Sequence, residues 1–315
     1  MANMYNITPL SYQPSSNMDW FTQAIFGGKL IEKGRITPVI GIKESTMLNL
    51  IDLSGNILQA DSRDCAWTPD QITRLSEKEL KVKTYKINLE QCLDDLERKR
   101  TAWMLSPGAR NGELPESLEE ATMALLANEL SKEIEEKIFN GDSANGDDFD
   151  GAIKVLKASA DAIKAKGVAL TKANILDEVE KAFALLPDDV VGKGIEEDSL
   201  SVYVSYATFM KIKVALAAVY NANVVVNPSF TVEGEVVKYL GAEVVPVRGL
   251  ADNDMVLADT KNMLLGTDLL SDLEDIRIGQ FAAPNDNKIF IDGRLRLGFS
   301  IPFEDEVVYY SPSNP

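Results

Sequence analysis

Apolar positions along the chain follow two different periods, and the places where the period changes divide it into elements. Between Leu114 and Phe139, Met123, Leu126, Leu130, Ile134 and Ile138 recur at helical spacing. This predicts a helix of about 24 residues, roughly 36 Å long. Pro115 suits its first turn, and Glu116, Glu119 and Glu120 favour the positive end of the helix dipole. Asn140-Gly141 supplies the stop. Thr171 to Leu186 predicts a second helix with Ile175, Val179, Phe183 and Leu186 on one face, and Tyr206 to Val219 a third.

Elsewhere the period is two. Glu79 to Leu89 alternates through Leu80, Val82 and Thr84, then shifts phase to Tyr85, Ile87 and Leu89, which predicts a strand with a bulge. Asn88 with Gln91 has the spacing of a capping box and predicts a helix from Leu89 to about Thr101. Short strands are expected at Leu200 to Val204, Val236 to Leu240, Glu243 to Val247 and Met255 to Ala258, the second and third joined at Gly241. Leu273 to Phe281 and Lys288 to Ile301 alternate strongly, with Pro284 to Asn287 as the turn between them. In the second of these, Leu295, Leu297 and Phe299 oppose Arg294 and Arg296. Glu306 to Tyr310 is the last expected strand, and the fold class is α+β.

Two regions do not read as parts of a self-sufficient core. Ser45 to Ile51 and Asn56 to Ala60 flank a turn at Leu53-Ser54-Gly55, which predicts a β-hairpin. The polar stretch from Asp61 to Glu79 follows, broken at Pro69. Residues 31 to 79 carry too few apolar side chains for a core of their own, so the hairpin is expected to project from the body. Residues 1 to 28 hold a single charged side chain, Asp19, and five aromatics: Tyr5, Tyr12, Trp20, Phe21 and Phe26. A disordered tail would be charged and poor in aromatics. This aromatic area needs cover, either from the chain's own core or from a neighbouring copy.

Composition narrows the chemistry. The 315 residues suffice for roughly two domains. Formal charge is 32 minus 49, or −17, with no Lys/Arg cluster to grip a phosphate backbone. Two cysteines, Cys65 and Cys92, are too few for a disulfide framework and are expected to be reduced structural thiols. Neither a signal peptide nor a membrane span is legible, so folding in a cytoplasm without a membrane partner is expected. The chain has no histidine, which removes His-dependent triads and most zinc chemistry.

Phosphate-loop, dinucleotide and nucleophile-elbow patterns are missing, and no cofactor is expected. Asp142, Asp147, Asp148 and Asp150 form the densest acidic cluster. It lacks the order and closing Glu of a calcium loop, so a solvated loop is expected and no metal. The paired acids at Asp188-Asp189 and Glu196-Glu197-Asp198 are likewise expected to be solvated turns.

The order of elements resembles that of the major capsid proteins of tailed bacteriophages, whose shared fold takes its name from coliphage HK-ninety-seven. Val202-Tyr203-Val204-Ser205-Tyr206-Ala207-Thr208-Phe209 is similar to a strand-to-helix step of that family. Val236 to Val247, with Tyr239-Leu240-Gly241-Ala242, resembles the strand pair that follows it. Met255 to Asp259, Asn262 to Asp268, Phe299-Ser300-Ile301 and Val307 to Tyr310 resemble its closing segments.

The resemblance implies an N-terminal arm at 1–30, an extended loop at 31–79, a periphery domain from 80–150 and 265–315, and an axial domain at 151–264. It implies a structural, non-enzymatic subunit that self-assembles into pentamers and hexamers of an icosahedral shell. That shell would enclose double-stranded DNA without sequence-specific binding, in a virion assembled in a bacterial cytoplasm. Tyr5, Tyr12, Trp20, Phe21 and Phe26 of the arm, with Met47, Leu48, Leu50 and Ile57 of the loop, would then be subunit contacts. Scaffolding and portal proteins are implied partners, the former separate because no charged scaffolding segment is visible. Two alternatives stay open: an encapsulin-type nanocompartment shell, and a carboxylate- or lysine-dependent enzyme.

Overall fold

The computed structural model describes residue 30 and residues 33–53, 73–92, 116–146, 148–221, 230–233, 236–268, 277–280 and 288–313. The arm residues Tyr5, Tyr12, Trp20, Phe21 and Phe26 lie outside these, as do Ile57 and Cys65.

The strands, in chain order, are β1 (Thr37–Ile40), β2 (Ser45–Leu53), β3 (Thr73–Lys81), β4 (Lys83–Cys92), β5 (Ile163–Lys166), β6 (Leu200–Ser205) and β7 (Phe230–Glu233). They continue with β8 (Val236–Tyr239), β9 (Ala242–Val247), β10 (Met255–Asp259), β11 (Leu264–Thr267), β12 (Arg277–Gln280), β13 (Lys288–Ser300) and β14 (Val308–Ser311). The helices are α1 (Glu116–Asn140), α2 (Ala152–Ala158), α3 (Ile175–Phe183), α4 (Asp188–Glu196) and α5 (Tyr206–Asn221).

Seven strands form one sheet in the order β5-β14-β10-β6-β9-β8-β7. Its central strands β6, β9, β10 and β14 are buried along nearly their whole length because both faces are covered. Tyr203, Val245, Val247, Val256, Ala258 and Tyr309 face a core shared with Ile134, Ile138 and Phe139 of α1 and Leu156 of α2. The alternate residues Val202, Val204, Val244, Met255, Leu257 and Val308 face a second core, built with α3, α4 and α5. The period-two reading of these strands and the helical reading of α1 therefore meet in one interior. Leu126 and Leu130 of α1 pack against the first core, and Ile134 and Ile138 are buried in it.

A second sheet is organised by the 13-residue β13. One edge pairs with β4 from Lys288↔Cys92 to Leu297↔Lys83. The other pairs with β12 near its start and with β11 near its end, and β1 adds to β11 in parallel. Leu295, Leu297 and Phe299 are buried while Arg294 is exposed, so the expected alternation holds.

Three expectations need correction. β2 pairs with β3, from Ser45↔Lys81 to Leu53↔Thr73, and the expected partner segment Asn56 to Ala60 lies outside the described residues. A two-stranded ribbon outside the cores needs no apolar stripe, so the charged run at 73–81 can be a strand. The capping-box signal at Asn88 does not start a helix at Leu89. The strand continues to Cys92, because β13 supplies a ladder partner for each residue from Asn88 to Cys92. Tertiary pairing outweighs the local signal there, and the rest of that expected helix lies outside the described residues.

The boundaries drawn from the sequence also cut across the sheets. β1, from the stretch assigned to the loop, pairs with β11, which itself straddles position 264/265. β14, assigned to the periphery, pairs with β10 and β5 inside the seven-stranded sheet.

Candidate subunit-contact surfaces

The hairpin β2–β3 is a sheet of its own. Met47 faces Glu79 across the pair, Leu48 faces Lys78, and Leu50 faces Ser76. Side chains alternate between faces, so Leu48 and Leu50 share one side and Met47 lies on the other. Leu48 and Leu50 are half-buried, while Met47 is 55% exposed. On that second face Ser45, Asn49, Glu77 and Glu79 are also exposed, and Ile51, Leu53 and Leu75 occupy its outer positions. Among the ribbon side chains whose burial is described, only Leu80 is fully buried, and it lies at the root.

That root rests on bare backbone. Gly266 and Gly298 are direct cross-strand partners in β11 and β13. A β-carbon on Gly298 would lie 2.0 Å from the Lys81 carbonyl oxygen and 3.0 Å from the Val82 α-carbon. One on Gly266 would meet Val82, Ile42 and Leu80 at 3.1 to 3.2 Å. The two glycines thus admit the hairpin root against the sheet. Backbone bonds fasten it there: Gly41 and Ile42 donate to the Thr267 carbonyl at 2.8 and 3.2 Å, and Val82 donates to the Glu44 carbonyl at 3.0 Å. Lys78 also pairs with Glu304. Glycine inside an alternating strand marks a close backbone approach, and that signal at Gly266 and Gly298 was available in the sequence.

A second fastening holds the chain where the N-terminal segment enters the body. Arg35 pairs with Glu243 of β9, both largely buried. The Tyr203 hydroxyl of β6 donates to the Arg35 carbonyl, and the Arg35 amide donates to the Leu30 carbonyl at 2.7 Å. Burial pushes the Tyr203 hydroxyl well above the ordinary phenol range, so it remains a donor.

The acidic loop after α1 is not merely solvated. Lys154 bridges Asp142 and Asp150, 2.6 Å from the latter, and Lys137 pairs with Asp148. The Lys154 hydrogen bond, with the Ala144 amide, holds the Asp142 carboxyl below its ordinary value. At Asp150 burial pushes the carboxyl up, but the bonds from Lys154 and Ser143 outweigh it. Each of these lysines takes one carboxylate oxygen of its partner acids, so the charge of Asp142, Asp148 and Asp150 is met within the chain. Among the described residues, no group of three or more His, Cys, Asp or Glu is placed to hold a metal. No helix among them is long and apolar enough to cross a membrane.

The closing strand is fixed by buried polar contacts. The Tyr310 hydroxyl donates to Glu178 of α3 at 2.6 Å and accepts from the Val168 amide at 2.9 Å. The Tyr309 hydroxyl donates to Asp254 at 3.0 Å. Burial pushes both phenols up to about 12. These bonds tie strand to helix and strand to loop.

No protein-family model and no curated protein matches the sequence. Solved structures do match, over nearly the whole chain. The capsid of a native GTA particle is 12% identical, with a TM-score of 0.58, covering 96% of this chain and 93% of that one. The satellite phage P4 procapsid, solved with its size determination protein, is 12% identical with a TM-score of 0.56, covering 94% and 97%. Gordonia phage Cozz is 12% identical with a TM-score of 0.55, covering 91% and 87%. The doubly covered seven-stranded sheet, the long α1, the β13 sheet and the rooted hairpin together form the α+β fold of tailed-bacteriophage major capsid proteins.

Proposed function

We propose that this chain is the repeating structural subunit of a closed icosahedral capsid. The observation that carries this reading is the ribbon β2–β3: rooted in the body, it holds Met47 exposed and Leu48 and Leu50 half-buried outside both cores. Apolar area of this kind is covered by lapping over a neighbouring copy. The likeness to solved shells over nearly the full length supports the same reading.

In this proposal the subunits assemble as pentamers and hexamers in a bacterial cytoplasm, with scaffolding and portal proteins as partners. The arm residues Tyr5, Tyr12, Trp20, Phe21 and Phe26, with Ile57, add contacts between copies. Many modest contacts, repeated by symmetry, sum to a stable shell while each stays correctable. The shell encloses double-stranded DNA without gripping it, since a chain of net charge −17 repels phosphate as it enters. No step of this work is catalytic.

Electron microscopy of the purified full chain at high concentration tests the proposal. Closed particles are expected. A persistent compact monomer with the hairpin folded into its own body would sink it. Particles that co-purify with a cargo enzyme and exclude DNA would point to a nanocompartment instead.

A further inference from the structure

An asparagine followed by glycine is chemically exposed in a particular way. Glycine has no β-carbon to hinder its own nitrogen, which can attack the side-chain amide before it. Asn140-Gly141 and Asn145-Gly146 lie five residues apart, and both continue into aspartate, at Asp142 and Asp147. The local chemistry is therefore the same at both, and only the fold separates them.

The fold treats the two glycines oppositely. Gly141 is buried after the end of α1, and its amide donates to the Lys137 carbonyl at 2.8 Å. A β-carbon there would meet the Phe149 and Lys137 carbonyl oxygens at 2.5 and 2.6 Å, so backbone walls it in. Gly146 is exposed, and a β-carbon on it would meet nothing within 4 Å. Its φ of 128° and ψ of −141° fall in a region essentially confined to glycine. Both asparagines are exposed, so access to the amide does not distinguish them. Asn145 closes a single 3-10 turn, Ser143–Asn145, through its own amide to the Asp142 carbonyl at 3.1 Å. One exposed turn opens far more readily than a buried helix end.

The Asn145 side chain also has a partner that its reaction would alter. Nδ2 donates to Asp142 Oδ2 at 3.0 Å. The other Asp142 oxygen accepts from the Ala144 amide at 2.9 Å and pairs with Lys154. Lys154 further reaches Asp150 at 2.6 Å and the Ser143 hydroxyl at 2.9 Å. The same loop is tied to β4, because the Tyr85 hydroxyl donates to Asp148 at 3.2 Å and accepts from the Phe149 amide at 3.1 Å.

We propose that Asn145 is a site of spontaneous deamidation from which the fold protects Asn140. The Gly146 nitrogen attacks Cγ of Asn145, and its proton passes through solvent to the departing nitrogen. The new N–Cγ bond closes a five-membered succinimide as the Cγ–Nδ2 bond breaks and ammonia leaves. Water then opens the ring at either carbonyl, giving aspartate or isoaspartate; nothing is oxidised or reduced. The product adds one negative charge and can no longer donate, so a carboxylate faces Asp142 where an amide bonded to it. Three acids then compete for Lys154, and the loop loosens. The reaction needs no second copy and stands apart from shell assembly.

Ageing the folded full chain at mildly alkaline pH, then trypsin digestion and tandem mass spectrometry, tests this. Cleavage after Lys137 and Lys154 yields one peptide that holds both sites. Conversion is read as a gain of about 1 Da at the modified residue. Asn145 is expected to convert at least about tenfold faster than Asn140 in the folded chain. In urea the two rates should converge. Equal rates in the folded chain, or faster conversion at Asn140, would overturn the proposal. So would an Asn145 that converts in urea and stays intact in the folded chain. Asn145→Asp supplies the charged product directly, and Asn145→Gln keeps an amide that closes the ring poorly. Hydrogen exchange over 142–150 should be faster in Asn145→Asp than in Asn145→Gln, with β6 unchanged in both. Identical exchange in the two variants would refute the loosening.

Discussion

The seven-stranded sheet and the β2–β3 ribbon are built from similar strands and satisfied in opposite ways. The central strands β6, β9, β10 and β14 alternate between two cores, so Val202 and Tyr203 are both fully buried although they point in opposite directions. Among the ribbon side chains that are described, none belongs to either core, and Leu48, Leu50 and Met47 are at most half-buried, Leu80 at the root excepted. A single copy therefore supplies the body with everything it needs. The ribbon is held at its root, and none of its described side chains joins either core.

That contrast can be broken first from the side of the body. Leu156→Ala removes a fully buried side chain from the first core. It is expected to cost about 2–5 kcal/mol, seen as a lower denaturation midpoint of the unassembled subunit. Next in size is the root: Gly298→Ala places a methyl 2.0 Å from the Lys81 carbonyl. It should cost about 1–3 kcal/mol by overpacking. Hydrogen exchange should show the amides of β2 and β3 losing protection before those of β6 or β10.

Tyr310→Phe should cost about 2 kcal/mol at neutral pH, since it removes the hydrogen bond to the buried Glu178 carboxylate. This loss has a defined pH dependence. Bonds from Lys181 and Tyr310 hold the Glu178 carboxyl below its ordinary value. Its contribution is therefore present above the unfolded carboxyl pKa, near about 4.3, and fades as pH falls through the lower folded value. Urea melts of parent and variant should converge through that acid window; a gap unchanged down to the lowest pH would refute the assignment.

Smallest in the single copy is Met47→Ser, expected within about 0.5 kcal/mol for an exposed position. The same change should lower the thermal stability of assembled particles. Equal melting of parent and variant particles would show that the ribbon does not lap a neighbour at Met47.

What the sequence made legible follows the same division. β6, β8, β9, β10 and the buried stripe of α1 could be read because burial imposes a period, and the period survives in the residues. β3 could not, since Glu77, Lys78 and Glu79 form a strand that answers to no core. The end of β4 was obscured by Asn88, whose capping spacing was overruled by pairing with Asp292, about two hundred residues away. The glycine seat for the root is likewise a tertiary fact: nothing local says that Gly266 and Gly298 face each other, or that Lys81 comes down on them. Met47, Leu48 and Leu50, expected as contacts of the loop, lie on the ribbon, Met47 on one face and Leu48 and Leu50 on the other. The lysines that neutralise Asp142, Asp148 and Asp150 come from α1 and α2, elements flanking the loop, so the acids looked more exposed in the sequence than they are.

The glycine pair has one more consequence, which is leverage. The nine residues of β2 reach about 30 Å from the seat, so a tilt of about 10° there carries the far end through about 5 Å. An added methyl at either glycine therefore acts twice: through the clash it makes with the root, and through the larger displacement that a small tilt at the seat carries to the far end of the ribbon.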